Sequence, residues 1–226
     1  MNINDIVEIH DDLNPKLWYD NNLRREVEYK LLQIAMAFIK FINLDNLKLV
    51  DVTISGSNAS YNYNSKSDID LHLIVDESSE CYDELKELFL AKKSLFNDQH
   101  DISIRGINVE VYVQEASQPH ISNGIYSVIK DEWLKQPEPI TDKPDFTNAK
   151  HKFEFLKHEI LTVIKSKDLA KLEKVKSDLK KMRQAGLDAN GEMGAENLAY
   201  KMLRNQGLLD ELWSSATKAQ DEKLSI

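Results

Sequence analysis

Between Asp68 and Asp76 the chain runs DIDLHLIVD, and no other stretch restricts the fold as tightly. Ile69, Leu71, Leu73 and Val75 fall on one side of an extended segment, while Asp68, Asp70, His72 and Ile74 fall on the other. A strand with an unbroken apolar face has to pack against another layer. Its opposite face opens with two aspartates, which repel each other and are costly on a half-buried strand. Two arrangements relieve that cost: solvent reaches this edge, or a cation sits there.

The neighbouring pattern predicts the layer. Leu23, Val27, Leu31, Ile34, Ala35, Phe38 and Ile42 recur at helical spacing. LKLVDVTIS (47–55) is β-rich and ends at Gly56. Tyr82, Leu85, Leu88, Phe89, Leu95 and Phe96 predict a helix over about 80–97, and DISIRGINVEVYVQ predicts two strands meeting at Arg105–Gly106 or at Asn108. Upstream, LNPKLWYDNN is expected to be an irregular lead-in, with Asp20 or Asn21 as helix N-cap.

Residues 115–145 contain four of the five prolines and are expected to form a loop-rich crossing with one short helix or strand near 125–134. Beyond Thr147 the spacing is helical again, through Phe153, Leu156, Ile160 and Ile164, then through Leu169, Leu172, Val175, Leu179 and Met182. A glycine-marked break at AGLDANGEMG precedes helices near 195–206 and 208–216, with the tail frayed. The pattern gives an α/β front half and a helical back half, divided near 140–148.

Charge restricts the partners. The net charge of −9 is unevenly spread: residues 1–149 carry 14 basic and 26 acidic side chains, and residues 150–183 carry 11 and 5. A mostly acidic surface does not attract long duplex nucleic acid. Lys171 to Lys181 form either a solvated helix face or, through one or two of them, a contact for an anionic ligand. Cys81 is the one cysteine, so no intramolecular disulfide forms; it precedes a helix with no base beside it. The first fifteen residues lack the basic and apolar regions of a secretory leader, and no apolar run approaches a membrane span. A cytoplasmic protein is the expectation.

Three pieces of the front half carry chemistry. Gly56–Ser57 forms a small corner where amides and a hydroxyl can approach an anion. Asp68 and Asp70 follow ten residues later. In NVEVYVQ, Glu110, Tyr112 and Gln114 share a face opposite Val109, Val111 and Val113. If that strand lies beside the aspartate strand, Glu110 is a third carboxylate, and an all-oxygen set suits Mg²⁺ or Mn²⁺ rather than zinc.

Gly56-Ser57, ten intervening residues and Asp68-Ile69-Asp70 resemble the Gly-Ser…Asp-x-Asp signature of the nucleotidyltransferase superfamily that includes DNA polymerase beta. The chain is similar in particular to uncharacterised nucleotidyltransferases of tailed bacteriophages. The likeness runs from LNPKLW through GSNASYNYNSKSDIDLHLIVD, NVEVYVQ and GIYSV to the C-terminal helices. It implies an α+β fold: a catalytic domain, 1–145, built on a small mixed β-sheet flanked by helices, then a C-terminal helical domain, 146–226.

It also implies Ser57 at the β- and γ-phosphates, Asp68 and Asp70 at the metals, and Glu110 in the third carboxylate position, where the polymerases carry Asp. The implied reaction moves an NMP from an NTP donor to a hydroxyl of a small molecule, protein or RNA end, releasing pyrophosphate. A non-catalytic nucleotide-binding or regulatory module on the same fold, in a toxin–antitoxin or anti-defence role, is the alternative. Lys66 and Ser67 stand next to the signature and either contact phosphate or belong to an ordinary polar loop. His72 either orients a carboxylate or is a half-buried strand histidine. His120, Ser122, Asn123 and Tyr126 either line an acceptor pocket or form ordinary loop structure, and Trp18, Trp133 and Trp213 are expected to be packing residues.

Overall fold

The computed structural model describes residues 6–44, 47–76, 82–120 and 122–226, with residues 82–86 by backbone alone. Cys81 and the side chains of Tyr82 and Leu85 lie outside what is described. The chain forms two compact units. One is Glu8–Ile140; the other is Thr141–Ile226 together with Ile6 and Val7.

The first unit begins with a correction. Asp20 and Asn21 do not cap a helix; at φ 48° and 61° they form the two-residue turn between β1 (Trp18–Tyr19) and β2 (Asn22–Leu23). Such a turn needs positive φ at both central positions, which Asp and Asn tolerate best after glycine. Helix α1 (Arg25–Ile42) then starts at Arg24, with no side-chain cap. Its buried stripe is the heptad-like set Val27, Leu31, Ile34, Ala35, Phe38 and Ile42.

Strands β3 (Leu49–Ser55) and β4 (Ile69–Val75) pair antiparallel, with a short 3-10 turn at Ser57–Ala59 between them. Helix α2 (Tyr82–Gln99) follows, then the hairpin of β5 (Ser103–Ile104) and β6 (Ile107–Glu115). Arg105 and Gly106 turn this hairpin at φ 53° and 78°. The 115–145 segment contributes two paired strands rather than one element, β7 (Ile125–Ser127) and β8 (Glu132–Lys135).

The main sheet has the order β5-β6-β4-β3-β7-β8. It is mixed because β6 lies parallel to β4 while every other pairing is antiparallel. Helix α2 is the crossover that parallel neighbours require. Ile69, Leu71 and Leu73 are fully buried with Val52, Ile54 and Val111, and Phe38, Phe89 and Phe96 of the two helices pack into the same core. The rings of Phe38 and Phe96 meet edge to face at 4.9 Å. Trp18 is buried and stacks on Trp133 at 4.7 Å, as packing residues do.

The second unit is helical: α3 (Phe146–Ser166), α4 (Leu169–Asn190), α5 (Ala195–Asn205) and α6 (Leu208–Leu224). Asp145 and Asp168 cap α3 and α4 by accepting hydrogen bonds from first-turn amides. Two boundaries differ from expectation. Helix α4 runs through Gly186, where a Cβ would collide with Glu196 of α5, so this glycine serves close helix packing and the break falls after Asn190. Helix α6 continues to Leu224, because ATKAQDEKL consists mostly of good helix formers even without an apolar stripe to bury. The architecture is α+β with a C-terminal helical region. Among the described residues, no helix is long and apolar enough to cross a membrane.

Candidate active site

Strand β3 ends at Ser55 and the chain turns at Gly56, at φ 73° and ψ −160°, a region that glycine alone enters readily. A second constraint acts at the same atom. A Cβ on Gly56 would overlap the Asp70 carboxylate and lie 3.1 Å from its Cγ. The missing side chain lets the main chain of the turn close against Asp70.

Strand pairing places the carboxylates. Asp70 is level with Ser55 on one side and with Glu110 on the other. Adjacent strands lie about 4.8 Å apart, so Asp70 and Glu110 share a face at one strand spacing. Asn97 of α2 fixes the outer edge of β6 there, donating to the Val111 carbonyl and accepting from the Val111 amide, both at 3.2 Å. Asp68 lies just before β4 and shares with Glu110 a cavity of about 410 Å³, whose walls include Asp98, Asp101 and Asn108. The carboxylates occupy neighbouring positions without forming a closed cage. Among the described residues, no group of three His, Cys, Asp or Glu side chains is assembled to hold a metal ion.

The turn is hydrogen-bonded throughout. Ser57 Oγ donates to Ser67 Oγ at 2.9 Å, and Ser67 Oγ accepts from the Asn64 amide at 2.9 Å. The Gly56 amide donates to Ser122 Oγ at 3.1 Å. Lys66 is exposed on the rim, its amide bonded to Asn64 Oδ1. The sequence reading missed Asn58, which is 0% exposed. Its Nδ2 donates to the Asp68 and Ser67 carbonyls at 2.8 and 3.3 Å, its Oδ1 accepts from Asn14, and its carbonyl accepts from the Trp18 indole at 2.7 Å. Asn58 thereby ties the segment that presents Asp68 to the glycine turn. Its position directly after Gly-Ser was the only sequence signal for it.

Beyond the carboxylates the same face holds a row of rings. His72 is largely buried, and that burial, followed by the neighbouring His120, pushes its pKa down to about 3 although Gln114 opposes the shift. The imidazole is therefore neutral, with Nε2 3.1 Å from Ser55 Oγ. His72 Nδ1 and Thr53 Oγ1 are buried without a well-formed hydrogen bond among the described residues. Tyr112 stacks on His72 at 4.9 Å and donates its hydroxyl to Glu110 Oε2 at 2.5 Å. Burial, then Asp70 and Glu110, raise its pKa, so the phenol keeps its proton. Lys93 of α2, also missed from sequence, places Nζ 3.6 Å from the Tyr112 ring centre. Burial lowers its pKa while Glu110 and Asp70 oppose that.

The 117–127 segment divides. Ser122 reaches the Gly56 amide, and His120 lies 4.5 Å from His72. Asn123 braces Ser60 Oγ and the Glu138 carbonyl at 2.8 Å each. Tyr126 turns into the core against Trp18 and Trp133, with its hydroxyl on Asp131.

No family model and no curated protein matches the chain. Among solved structures it is similar to a STING-associated CdnE c-di-GMP synthase from Capnocytophaga granulosa, at 14% identity over 92% of this chain and 90% of that one. The TM-score is 0.26, and a likeness at that level carries no weight for fold or activity.

Proposed function

We propose that this chain is a metal-dependent nucleotidyltransferase, moving an NMP from an NTP to a hydroxyl acceptor. The observation that supports this most is the parallel β4–β6 pairing, which sets Glu110 level with Asp70 while the Gly56 turn closes on the Asp70 carboxylate. An Asp-x-Asp strand, a third carboxylate on the adjacent strand and a glycine turn against Asp70 are the features that support an NMP-transfer reading.

The all-oxygen chemistry of Asp68, Asp70 and Glu110 suits a hard divalent ion, which these three would hold once drawn together around it. Bound there, Mg²⁺ or Mn²⁺ would lower the pKa of the attacking hydroxyl and neutralise charge on the phosphates. The turn does the rest of the donor binding: Ser57 and Ser67 offer hydroxyls, Gly56 the close approach of its main chain, and Lys66 a cation at the rim. The acceptor oxygen forms its bond to the α-phosphorus as the α–β bridge breaks and pyrophosphate leaves. Glu110, which lines the cavity beside Asp68, is the proposed acceptor of the hydroxyl proton as well as an ion holder. Neutral His72 contributes shape and a hydrogen bond to Ser55 rather than charge. With Asp98 and Asp101 in its walls, the cavity beside Asp68 and Glu110 disfavours a polyanionic acceptor and favours a neutral or cationic hydroxyl compound.

Thermal unfolding with each NTP, with and without Mg²⁺ or Mn²⁺, tests the donor half, since a ligand bound only by the folded state raises the midpoint. A metal-dependent shift with one base supports the reading; no shift with any nucleotide overturns it. Incubation with α-labelled NTP and cell lysate then reports transfer. Asp70→Asn is expected to abolish the label while leaving the unfolding midpoint equal or higher, because mutual repulsion of the aspartates is relieved. Nucleotide binding without transfer by the wild type would favour the non-catalytic module.

A further inference from the structure

Glu110 is the carboxylate whose orientation is least determined by its backbone. It has three side-chain torsions where Asp68 and Asp70 have two, so the register of β6 fixes its Cα but not its carboxylate. A flexible glutamate is a poor preformed ligand, since ordering it costs rotamer entropy when the ion arrives.

We propose that Tyr112 is the positioning residue that removes this cost, a role that rests on the nucleotidyltransferase reading of the site. Tyr112 lies two positions beyond Glu110 on the same face, and its hydroxyl holds Glu110 Oε2 at 2.5 Å. A neutral donor on a carboxylate at that distance is a strong, charge-assisted hydrogen bond. The donor is itself immobile. Its ring stacks on His72 at an interplanar angle of 14°, Lys93 Nζ lies 3.6 Å from the ring centre, and His72 is anchored to Ser55 Oγ.

The anchor chain runs Glu110–Tyr112–His72–Ser55 across β6, β4 and β3, and Ser55 immediately precedes the glycine turn. The third carboxylate is thus oriented from the strand that carries the phosphate corner. Oε2 is committed to the phenol, which leaves Oε1 as the oxygen with capacity for an ion. Groups that orient ligating side chains in this way typically change metal affinity tenfold or more when removed.

The test uses Mn²⁺ alone, followed by loss of the free-ion electron paramagnetic resonance signal during titration of the whole chain. Tyr112→Phe keeps the ring, and with it the contacts to His72 and Lys93, and removes only the hydroxyl. It is expected to weaken Mn²⁺ binding about tenfold, with an unchanged far-ultraviolet circular dichroism spectrum. In a Glu110→Gln background, which removes the partner, the same substitution is expected to change residual Mn²⁺ binding by less than about twofold, because coupled residues are non-additive. Equal Mn²⁺ binding by wild type and Tyr112→Phe overturns the role of Tyr112 while leaving the functional reading intact. An equal loss in both backgrounds also overturns it, because the hydroxyl would then act without Glu110. Absence of Mn²⁺ binding by the wild type overturns both.

Discussion

Replacing Gly56 with alanine measures how tightly the turn is closed on Asp70. Two penalties add. Holding a non-glycine residue at φ 73°, ψ −160° costs about 1–3 kcal/mol. Forcing a methyl group into the volume of the Asp70 carboxylate adds about 1–3 kcal/mol, as overpacking does. A loss of about 4 kcal/mol is therefore expected, a large share of the ~5–15 kcal/mol by which domains of this size are stable. Gly106 provides the control. It sits at φ 78°, and among the described residues nothing lies within 4 Å of where a methyl group would stand, so Gly106→Ala bears only the backbone cost of about 1–2 kcal/mol. Asp70→Ala provides the second control, because it removes the obstacle and should return about 2 kcal/mol to the Gly56→Ala variant. Urea unfolding of the four single and double variants gives these differences from midpoints and slopes. The reasoning is refuted if Gly56→Ala is no more damaging than Gly106→Ala, or if Gly56→Ala and Asp70→Ala prove additive.

Three further outcomes are expected. Asn58→Asp keeps the shape of a fully buried side chain but turns an oxygen toward the Asp68 and Ser67 carbonyls; it should destabilise more than Asn58→Ala, whose cost is about 2–3 kcal/mol by urea unfolding. Asp51, 4% exposed, accepts from Ser127 Oγ and the Val52 amide, so Asp51→Ala should cost about 2–4 kcal/mol, whereas Lys130→Ala, which breaks only a long ion pair at 3.7 Å, should cost under about 1 kcal/mol. His72 gives a signed pH dependence. Its folded pKa of about 3 lies below the unfolded value, so its contribution is complete above about pH 6.5 and is lost as pH falls toward 3. The slope is at most about 1.4 kcal/mol per pH unit, and His72→Gln should flatten that acid limb in stability curves measured between pH 4 and 7.

The part of the site that depends on alternation was legible in the sequence. A period of two in DIDLHLIVD and NVEVYVQ already puts Asp70 and Glu110 on polar faces, and the Gly56 corner follows from strand residues ending in a glycine. Parallel pairing at a specific register was not legible, because alternation fixes a strand's faces and not its neighbour. Lys93 was hidden for a related reason: helical periodicity singles out the apolar stripe of α2, whereas Lys93 reaches the site from its margin. Asp20 and Asn21 illustrate competing roles, since the residue types that cap helices also accept positive φ, and here the hairpin prevailed. The second strand of the 125–135 pair was obscured by its proline-rich surroundings, and the length of α6 by the lack of any apolar spacing to follow.

The separation of the site's partners along the chain has a consequence for how the protein acquires its site. Gly56 meets Ser122 across 66 residues, and Asp70 meets Glu110 only after α2 has been made and docked. Closing such loops costs chain entropy before any contact compensates for it, which makes non-local parallel pairing slow. During synthesis the two aspartates therefore leave the ribosome without their third carboxylate, and the corner waits longer still for its serine. On the proposed function, ion binding would then be a late event in folding. In refolding experiments, uptake of Mn²⁺ by the proposed site should report the moment when the central strands lock into register.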